Sequence, residues 1–181
     1  MPRSREFDPG SAIDHALDKF WDKGYGATSM QELVDATGVH RGSMYGTFGS
    51  KHDLFLATLD RYCELESAAL LRRAAAAPSP LAALERILDR FARESAGPGA
   101  RGCYMVNAIA ERGSTDEAVR KRADAALSGL RALLEERIVA ARKAGEIPSQ
   151  GNTGELAAFL VNTIQGLSLI HISEPTRLRR I

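Results

Sequence analysis

Residues 28–55 read TSMQELVDATGVHRGSMYGTFGSKHDLF, and the helix starts and stops within this stretch decide the fold. Ser29-Met30-Gln31-Glu32 has the spacing of a capping box, which begins a helix. Gly38 ends that helix, and a second short helix is predicted from about His40 to Gly46. The helices Met30–Thr37 and His40–Gly46, joined by a tight glycine turn, have the spacing of a helix-turn-helix unit.

Helical patterns flank this unit on both sides. Asp8-Pro9 begins a first helix that Gly24 ends, and Ser50 begins a fourth whose apolar stripe continues to about Arg73. A Ser114-x-x-Glu117 capping box opens the longest of the later helices. These later helices are predicted at about residues 81–95, 102–112, 115–144 and 153–170. No segment alternates with period two for long, so the sequence predicts an all-α fold.

The composition is that of an ordinary globular chain, with 44% hydrophobic and 26% charged residues among 181. This length suffices for a small module plus a larger helical domain, or for one mid-sized domain. The formal net charge of +1 gives no sign of a nucleic-acid partner. The window 37–52 holds Arg41, Lys51 and two histidines with no acidic residue, which is a weak basic patch.

Several functional classes lack their signatures in this sequence. Cys63 and Cys103 form no CxxC pair, and the four histidines show no paired ligand spacing, so no metal site and no cofactor are expected. The Gly97-x-Gly99-x-x-Gly102 letters follow no strand and are interpreted as a loop. No nucleophile elbow or convergent set of titratable residues points to an enzyme. Without an apolar leader or a membrane-spanning segment, the expected location is the cytoplasm.

The residues of the second short helix suit a DNA groove. Gly42 and Ser43 keep its outer face small, and Arg41 can reach a guanine edge or a phosphate. Val39 and Met44 are predicted to face inward and to set the angle between the two helices. A plain helical hairpin has the same spacing, however. A protein–protein adaptor without DNA binding and an enzyme on a helical scaffold are the alternative interpretations.

A longer pattern favours DNA binding. The sequence from Thr28 to Phe55, with its Tyr-x-x-Phe-x-x-Lys-x-x-Leu-Phe core at residues 45–55, resembles the N-terminal signature of the TetR family of repressors. The segments that carry the resemblance are Thr28-Ser29-Met30, Ala36-Thr37-Gly38-Val39, Gly42-Ser43-Met44-Tyr45, Phe48-Gly49-Ser50-Lys51 and Leu54-Phe55. The match covers about residues 10–60.

The resemblance implies a division of the chain and a function. Residues 1–50 would form a three-helix DNA-binding domain, and residues 51–170 a helical effector-binding and dimerisation domain. A dimer would bind an inverted-repeat operator in double-stranded DNA, and a small-molecule or thiol-reactive effector would release it.

The resemblance also assigns DNA-binding residues. Those expected to contact phosphate are Thr28, Tyr45, Lys51 and the amides around Ser29. Those expected towards base edges are Arg41, Ser43, Gly46 and Thr47. His40 would occupy the cap position of the recognition helix. Gly46 departs from many members of the family, which have a larger side chain there, so direct readout at that position is in doubt.

A second, shorter resemblance concerns the effector. Gly102-Cys103-Tyr104-Met105-Val106-Asn107 resembles a Gly-Cys-x-x-x-Asn stretch in a branch of the family, some members of which respond to oxidants or electrophiles. A helix N-terminus at Cys103 predicts a lowered thiol pKa, which Arg101 would reinforce if it turned inward. The alternative is an inert, buried thiol. The predicted pocket lining is mostly apolar: Tyr62, Leu88, Phe91, Cys103, Tyr104, Met105, Asn107 and Phe159.

The end of the chain departs from the family pattern. Members usually continue with a ninth helix, whereas residues 171–181 contain Pro175 and resemble translated vector or adapter DNA, so they are predicted to be a non-native tail. A homodimer weakened by the loss of that helix is expected. It would expose apolar residues of the eighth helix: Leu156, Phe159, Leu160, Ile164 and Leu167. Asn162 and Gln165 could line the pocket or lie at the dimer seam.

Overall fold

The computed structural model describes residues 7–94 and 101–172, and every regular element in these ranges is an α-helix. The helices are α1 Pro9–Lys23, α2 Met30–Thr37, α3 Arg41–Phe48, α4 Lys51–Ala75, α5 Pro80–Glu94, α6 Tyr104–Arg112, α7 Glu117–Lys143 and α8 Thr153–Ile172. The predicted all-α fold is therefore confirmed. None of the described helices combines the length and the apolar character that a membrane span requires. Most of the predicted tail, residues 173–181, lies outside the described residues.

The N-terminal caps form where the local sequence predicts them. The Asp8 carboxylate accepts hydrogen bonds from the amides of Gly10 and Ser11, with proline in the first turn of α1. At α2 the capping box is complete, because the Ser29 hydroxyl accepts from the Glu32 amide while the Glu32 carboxylate accepts from the Ser29 amide. These caps satisfy amide groups that have no partner within the helix.

The predicted start of α7 at the Ser114 box is wrong by two residues. Asp116 caps the helix instead, and its carboxylate accepts from the amides of Ala118 and Val119. The same carboxylate lies 2.7 Å from Nε2 of His52 in α4. Asp116 therefore replaces the predicted Ser114 cap, because its carboxylate contacts both the amides at the start of α7 and His52 on another helix.

The first of two core clusters joins the N-terminal helices to the C-terminal half of the chain. Leu17, Phe20, Leu33, Met44 and Phe55 are buried together. The cluster continues without a break into residues of α6 and the first half of α7: Tyr104, Met105, Ala108, Val119 and Ala123. The helix-turn-helix unit is thus packed directly on the helices that follow it.

The second cluster lies towards the other end of the molecule, between α5, α8 and the C-terminal parts of α4 and α7. Its buried members include Leu70, Leu84, Ile87, Leu134 and Ile138. Because α4 and α7 contribute to both clusters, these two long helices connect the N-terminal unit to the distal bundle.

A buried hydrogen bond ties α4 to α6 within the first cluster. The Thr58 hydroxyl donates to the Phe55 carbonyl at 2.6 Å, so the Tyr104 hydroxyl, 2.8 Å away, donates to the Thr58 oxygen. Both side chains are buried, and burial raises the pKa of Tyr104.

Replacing Tyr104→Phe should lower the free energy of unfolding by about 1 kcal/mol, because a buried acceptor loses its donor while the ring packing is kept. Urea denaturation followed by circular dichroism measures the change. Tyr45→Phe removes the same hydroxyl from an exposed ring and should change stability by less than about 0.5 kcal/mol. Equal effects of the two substitutions would contradict the role given to the Tyr104 hydroxyl.

Candidate nucleic-acid interface and ligand cavity

The turn between α2 and α3 is held by one glycine and one threonine. Gly38 has φ 68°, in the left-handed region that glycine enters without steric cost. The Thr37 hydroxyl donates to the Leu33 carbonyl at 2.7 Å and accepts from the Val39 amide at 3.2 Å. These contacts, with Met44 buried beneath α3, fix the angle at which α3 leaves the turn.

The outer face of α3 is small and polar. Its exposed residues are Arg41, Gly42, Ser43, Tyr45 and Gly46. A Cβ atom placed on Gly42 or Gly46 would meet no atom within 4 Å, so this face is open to an approaching partner. The helix carries one cation and no carboxylate, a balance that suits a polyanion.

The other predicted residues of α3 lie at its ends. His40 is at the N-cap position, as the family resemblance implies, but its exposed side chain makes no capping hydrogen bond. Thr47 is half-buried near the C-terminus. The Arg41 guanidinium lies 3.4 Å from Oε1 of Gln31, an α2 residue that the sequence patterns did not single out.

Two predicted phosphate ligands at the start of α2, Thr28 and Ser29, already form hydrogen bonds within the protein. The side chain of Thr28 is only 1% exposed, and its hydroxyl donates to the Gly24 carbonyl at 2.6 Å. The Ser29 hydroxyl and amide both take part in the capping box. In this structure Thr28 braces the turn between α1 and α2, which corrects its expected role as a phosphate ligand.

Lys51 begins α4 and lies beside the first two helices. Its ammonium nitrogen is 4.3 Å from the centre of the Tyr25 ring, a cation–π distance. Burial lowers the pKa of Lys51. Tyr25 is a further residue that pattern reasoning missed, since only the folded chain brings it under Lys51.

A cavity of about 330 Å³ lies between α4, α5, α6, α7 and α8. Four of the eight predicted lining residues border it: Tyr62, Phe91, Cys103 and Met105. Much of the remaining wall comes from residues of α7 and α8, of which pattern reasoning had named Gln165 alone as a possible lining residue: Ala126, Leu127, Gly129, Leu130, Leu133, Ile164, Gln165 and Ser168. Gln165 faces the cavity, whereas Asn162 is exposed on the surface.

The other four predicted lining residues lie elsewhere. Tyr104 is part of the first core cluster, and Leu88 packs against the second. The Asn107 amide donates to the Arg101 carbonyl at 2.9 Å and does not border the cavity. Phe159 is 65% exposed on the outside of α8. Helical periodicity alone therefore gave the wrong face for these side chains.

Of the two alternatives for Cys103, the structure favours the buried thiol over the thiolate. Burial raises the pKa of this thiol, although the Tyr62 hydroxyl, 3.3 Å away, and the amides of Val106 and Met105 act in the opposite direction. Arg101 gives no support because its guanidinium lies over Trp21 and faces carboxylates of α1. Burial also raises the pKa of Cys63, the second thiol in the cavity wall, to about 11. Both thiols are thus poor nucleophiles at neutral pH.

Comparison with known proteins gives two family matches and several relatives. Residues 12–58 match the bacterial regulatory proteins of the tetR family, and residues 80–173 match the tetracyclin repressor-like C-terminal domain. The HTH-type transcriptional repressor ComR of Escherichia coli is 30% identical over 92% of this chain and 80% of its own length. The uncharacterized regulator YezE of Bacillus subtilis is 35% identical, but the match spans only 61% of this chain and 58% of YezE.

Solved structures agree with these matches. A cysteine mutant of the TetR family transcriptional regulator CifR, complexed with 26-base-pair operator DNA, superposes with a TM-score of 0.79. It is 28% identical in sequence, over 94% of this chain and 89% of that one. A TetR-family regulator from Cytophaga hutchinsonii, 22% identical, shares the fold with a TM-score of 0.80. With the helix-turn-helix and the C-terminal bundle both matched, this chain belongs to the TetR family of transcriptional regulators.

Proposed function

We propose that this protein is a transcriptional repressor that binds operator DNA by placing α3 in the major groove. The observation that carries the proposal is the exposed face of α3, small and polar around Arg41 and Ser43, held from behind by the buried Met44. A helix inserted in a groove needs such a face. ComR is described as a repressor, and CifR is complexed with operator DNA, which supports the same function here.

The proposed contacts divide into two kinds. Arg41, Ser43 and Thr47 read base edges, since they lie on or beside the open face of α3. Gly46 lies towards the bases as well but has no side chain to read them. Tyr45 and Lys51 contact phosphates and set the register, with His40 at the edge of the same surface. The amides of Met30 and Gln31, which take no part in the capping box, add a phosphate contact through the backbone rather than through the Thr28 hydroxyl.

The repressor is proposed to act as a homodimer on an inverted repeat. Two recognition helices must be about 34–36 Å apart, or a multiple of that spacing, to enter successive major grooves. Large apolar side chains exposed on α7 and α8 mark the surface for pairing: Val139, Leu156 and Phe159. Ile164, which was expected on this surface, is buried and borders the cavity instead.

Release of the operator is proposed to begin in the cavity and to pass through α6. Met105, Val106 and Ile109 of α6 line the cavity. At the C-terminal end of the same helix, the Glu111 carboxylate accepts hydrogen bonds from the amides of Tyr25 at 2.8 Å and Gly26 at 2.6 Å. A ligand that displaces α6 therefore acts on the turn between α1 and α2.

The N-terminal end of α6 is also attached to the DNA-binding helices. The Trp21 indole nitrogen donates to the Gly102 carbonyl at 3.1 Å, and Arg101 contacts Asp18 at 3.0 Å. With α1 held at one end of α6 and the α1–α2 turn at the other, movement of this helix is passed to the DNA-binding unit as a whole.

A non-covalent small molecule fits the cavity better than a thiol-reactive effector. Both wall cysteines have raised pKa values, so little thiolate is present to attack an electrophile at neutral pH. A catalytic role is not proposed, because the matched family consists of regulators.

Substituting Arg41→Ala should weaken binding to the cognate operator by about 1–3 kcal/mol and relax specificity at one base position. Lys51→Ala should weaken binding to all duplexes and reduce the slope of log affinity against log salt by about 1. Fluorescence anisotropy with an operator selected from a random duplex pool measures both effects. Operator affinity that is unchanged in both variants would refute the proposed interface.

Phe159→Asp should shift the protein towards monomer and raise the dimer dissociation constant by at least about tenfold, because a charge would be buried at the pairing surface. Analytical ultracentrifugation across micromolar concentrations measures this constant. Leu65→Asp changes an exposed leucine of α4 and serves as the matched control. If both variants dimerise like the wild type, α8 does not form the pairing surface.

Glu111→Ala should make the amides of Tyr25 and Gly26 exchange with solvent about tenfold faster, because both lose a charged acceptor. Hydrogen–deuterium exchange followed by mass spectrometry reports on the peptide that contains them. Glu117→Ala removes a similarly exposed carboxylate that pairs only locally with Lys121 at 2.7 Å and should leave that peptide unchanged. Identical exchange in all three proteins would rule out the α6 attachment.

A further inference from the structure

A groove of about 570 Å³ lies on the surface between the C-terminal half of α4 and α5, apart from the apolar cavity. Among the described residues that line this groove, Asp89 is the one acidic residue. Most of the others are arginines, two from α4 and three from α5: Arg72, Arg73, Arg86, Arg90 and Arg93. This arginine groove therefore concentrates positive charge on a chain whose formal net charge is only +1.

Two of the five guanidinium groups are paired with carboxylates. Arg90 donates hydrogen bonds to both carboxylate oxygens of Glu66 in α4. Arg93 lies 3.8 Å from Asp89, one turn earlier in α5. Both arginines are thus already engaged within the protein.

The other three guanidinium groups have no carboxylate partner in the part of the chain that the structure describes. Arg72, Arg73 and Arg86 are all exposed. One terminal nitrogen of Arg86 donates to the Ala76 carbonyl at the end of α4, at 2.6 Å. Since a carbonyl is neutral, this bond orients the Arg86 guanidinium and leaves its charge uncompensated.

These cations repel one another unless an anion lies between them. Arg86 and Arg90 are four residues apart on one side of α5, a spacing at which like charges are destabilising. Cations of α4 face them across the groove. The helix dipole favours Arg72 and Arg73 in the last turn of α4, but it does not account for Arg86 in the middle of α5. An anion held between the two helices removes this repulsion.

The geometry of the groove indicates which anion fits. A guanidinium group binds phosphate oxygens through two parallel hydrogen bonds. Because the uncompensated arginines come from both helices, a ligand with two linked phosphate groups engages both walls of the groove. Its volume of about 570 Å³ lies within the range for small-molecule sites. The described lining has no aromatic ring to stack on a nucleobase, so the phosphate groups carry the recognition.

The groove is separate from the proposed DNA interface. Lys51 and Arg72 lie near opposite ends of α4. At a rise of 1.5 Å per residue, they are roughly 30 Å apart along the helix axis. A duplex that receives α3 in its major groove therefore meets Lys51 and does not explain a second group of cations around Arg72.

We propose that the arginine groove binds a small anion with two or more linked phosphate groups, held by Arg72 and Arg73 of α4 and by Arg86 of α5. This site is independent of the effector cavity and of operator binding.

Isothermal titration calorimetry of the full chain tests the proposal with pyrophosphate, ADP and orthophosphate, at constant ionic strength and with a chelator present. Pyrophosphate should bind with a dissociation constant at least about tenfold lower than that of orthophosphate, because it reaches both walls. ADP should bind within about threefold of pyrophosphate, since the base and sugar have no dedicated partner. Neither titration needs DNA, so the result does not depend on the repressor function.

Charge variants show where the anion binds. Arg72→Gln/Arg73→Gln should weaken pyrophosphate binding by at least about tenfold. Lys121→Gln/Lys143→Gln removes the same net charge from exposed positions of α7 and should change binding by less than about twofold. Arg86→Gln tests the opposite wall and should also weaken binding by about tenfold, which provides a second test if the double variant unfolds.

The proposal is overturned if pyrophosphate does not bind the wild type, or if orthophosphate binds as tightly as pyrophosphate. Equal weakening by the α4 and α7 double variants would also overturn it, because the binding would then reflect net charge alone. Operator affinity, measured separately, should be unchanged in Arg72→Gln/Arg73→Gln; its loss would assign the groove to DNA instead. Failure of pyrophosphate binding with operator binding retained removes this proposal and leaves the repressor function intact.

Discussion

The packing of Tyr104 is the interaction on which the rest of this structure depends. Its ring lies 5.7 Å from Trp21 of α1, 5.6 Å from Tyr62 of α4 and 6.2 Å from Phe55 of α4, measured between ring centres. Its hydroxyl donates to Thr58 inside the same cluster. One side chain at the start of α6 thus joins the DNA-binding helices to the wall of the cavity. Aromatic contacts of this kind add to the free energy gained from burial.

This packing places α6 between the cavity and the DNA-binding helices. The helix borders the cavity along its middle and contacts α1 and the α1–α2 turn at its ends. The His52–Asp116 contact is a second link, between the start of α4 and the start of α7. The helix-turn-helix shares a core with α6 and α7, which is the route that the proposed release of the operator requires.

Burial in the cavity wall also bears on the reactivity of its two thiols. Cys103 is at a helix N-terminus, a position that stabilises a thiolate when solvent or a cation is near. Here desolvation dominates and raises its pKa, and Arg101, two residues earlier in the chain, faces α1. Desolvation therefore disfavours the thiolate form of Cys103.

The sequence by itself determined the features that arise from contacts between near neighbours. The caps at Asp8, Ser29 and Ser50 and the glycine turn at Gly38 involve hydrogen bonds or backbone angles within about four residues, so their patterns were sufficient to predict α1 to α4. The outer face of α3 followed in the same way, because helical periodicity separates Met44 from Gly42 and Ser43.

Only the tertiary structure decided which side chains line the cavity and which groups are ionised. Helical periodicity separates an apolar face from a polar one but does not show which neighbouring helix covers the apolar face. For this reason Tyr104 and Phe159 were assigned to the cavity, while Gly129 and Leu130 of α7 were missed. Asp116 replaced the expected Ser114 cap for the same reason. Packing, desolvation and ion pairing act between residues distant in sequence, and these interactions are established only when the helices are assembled.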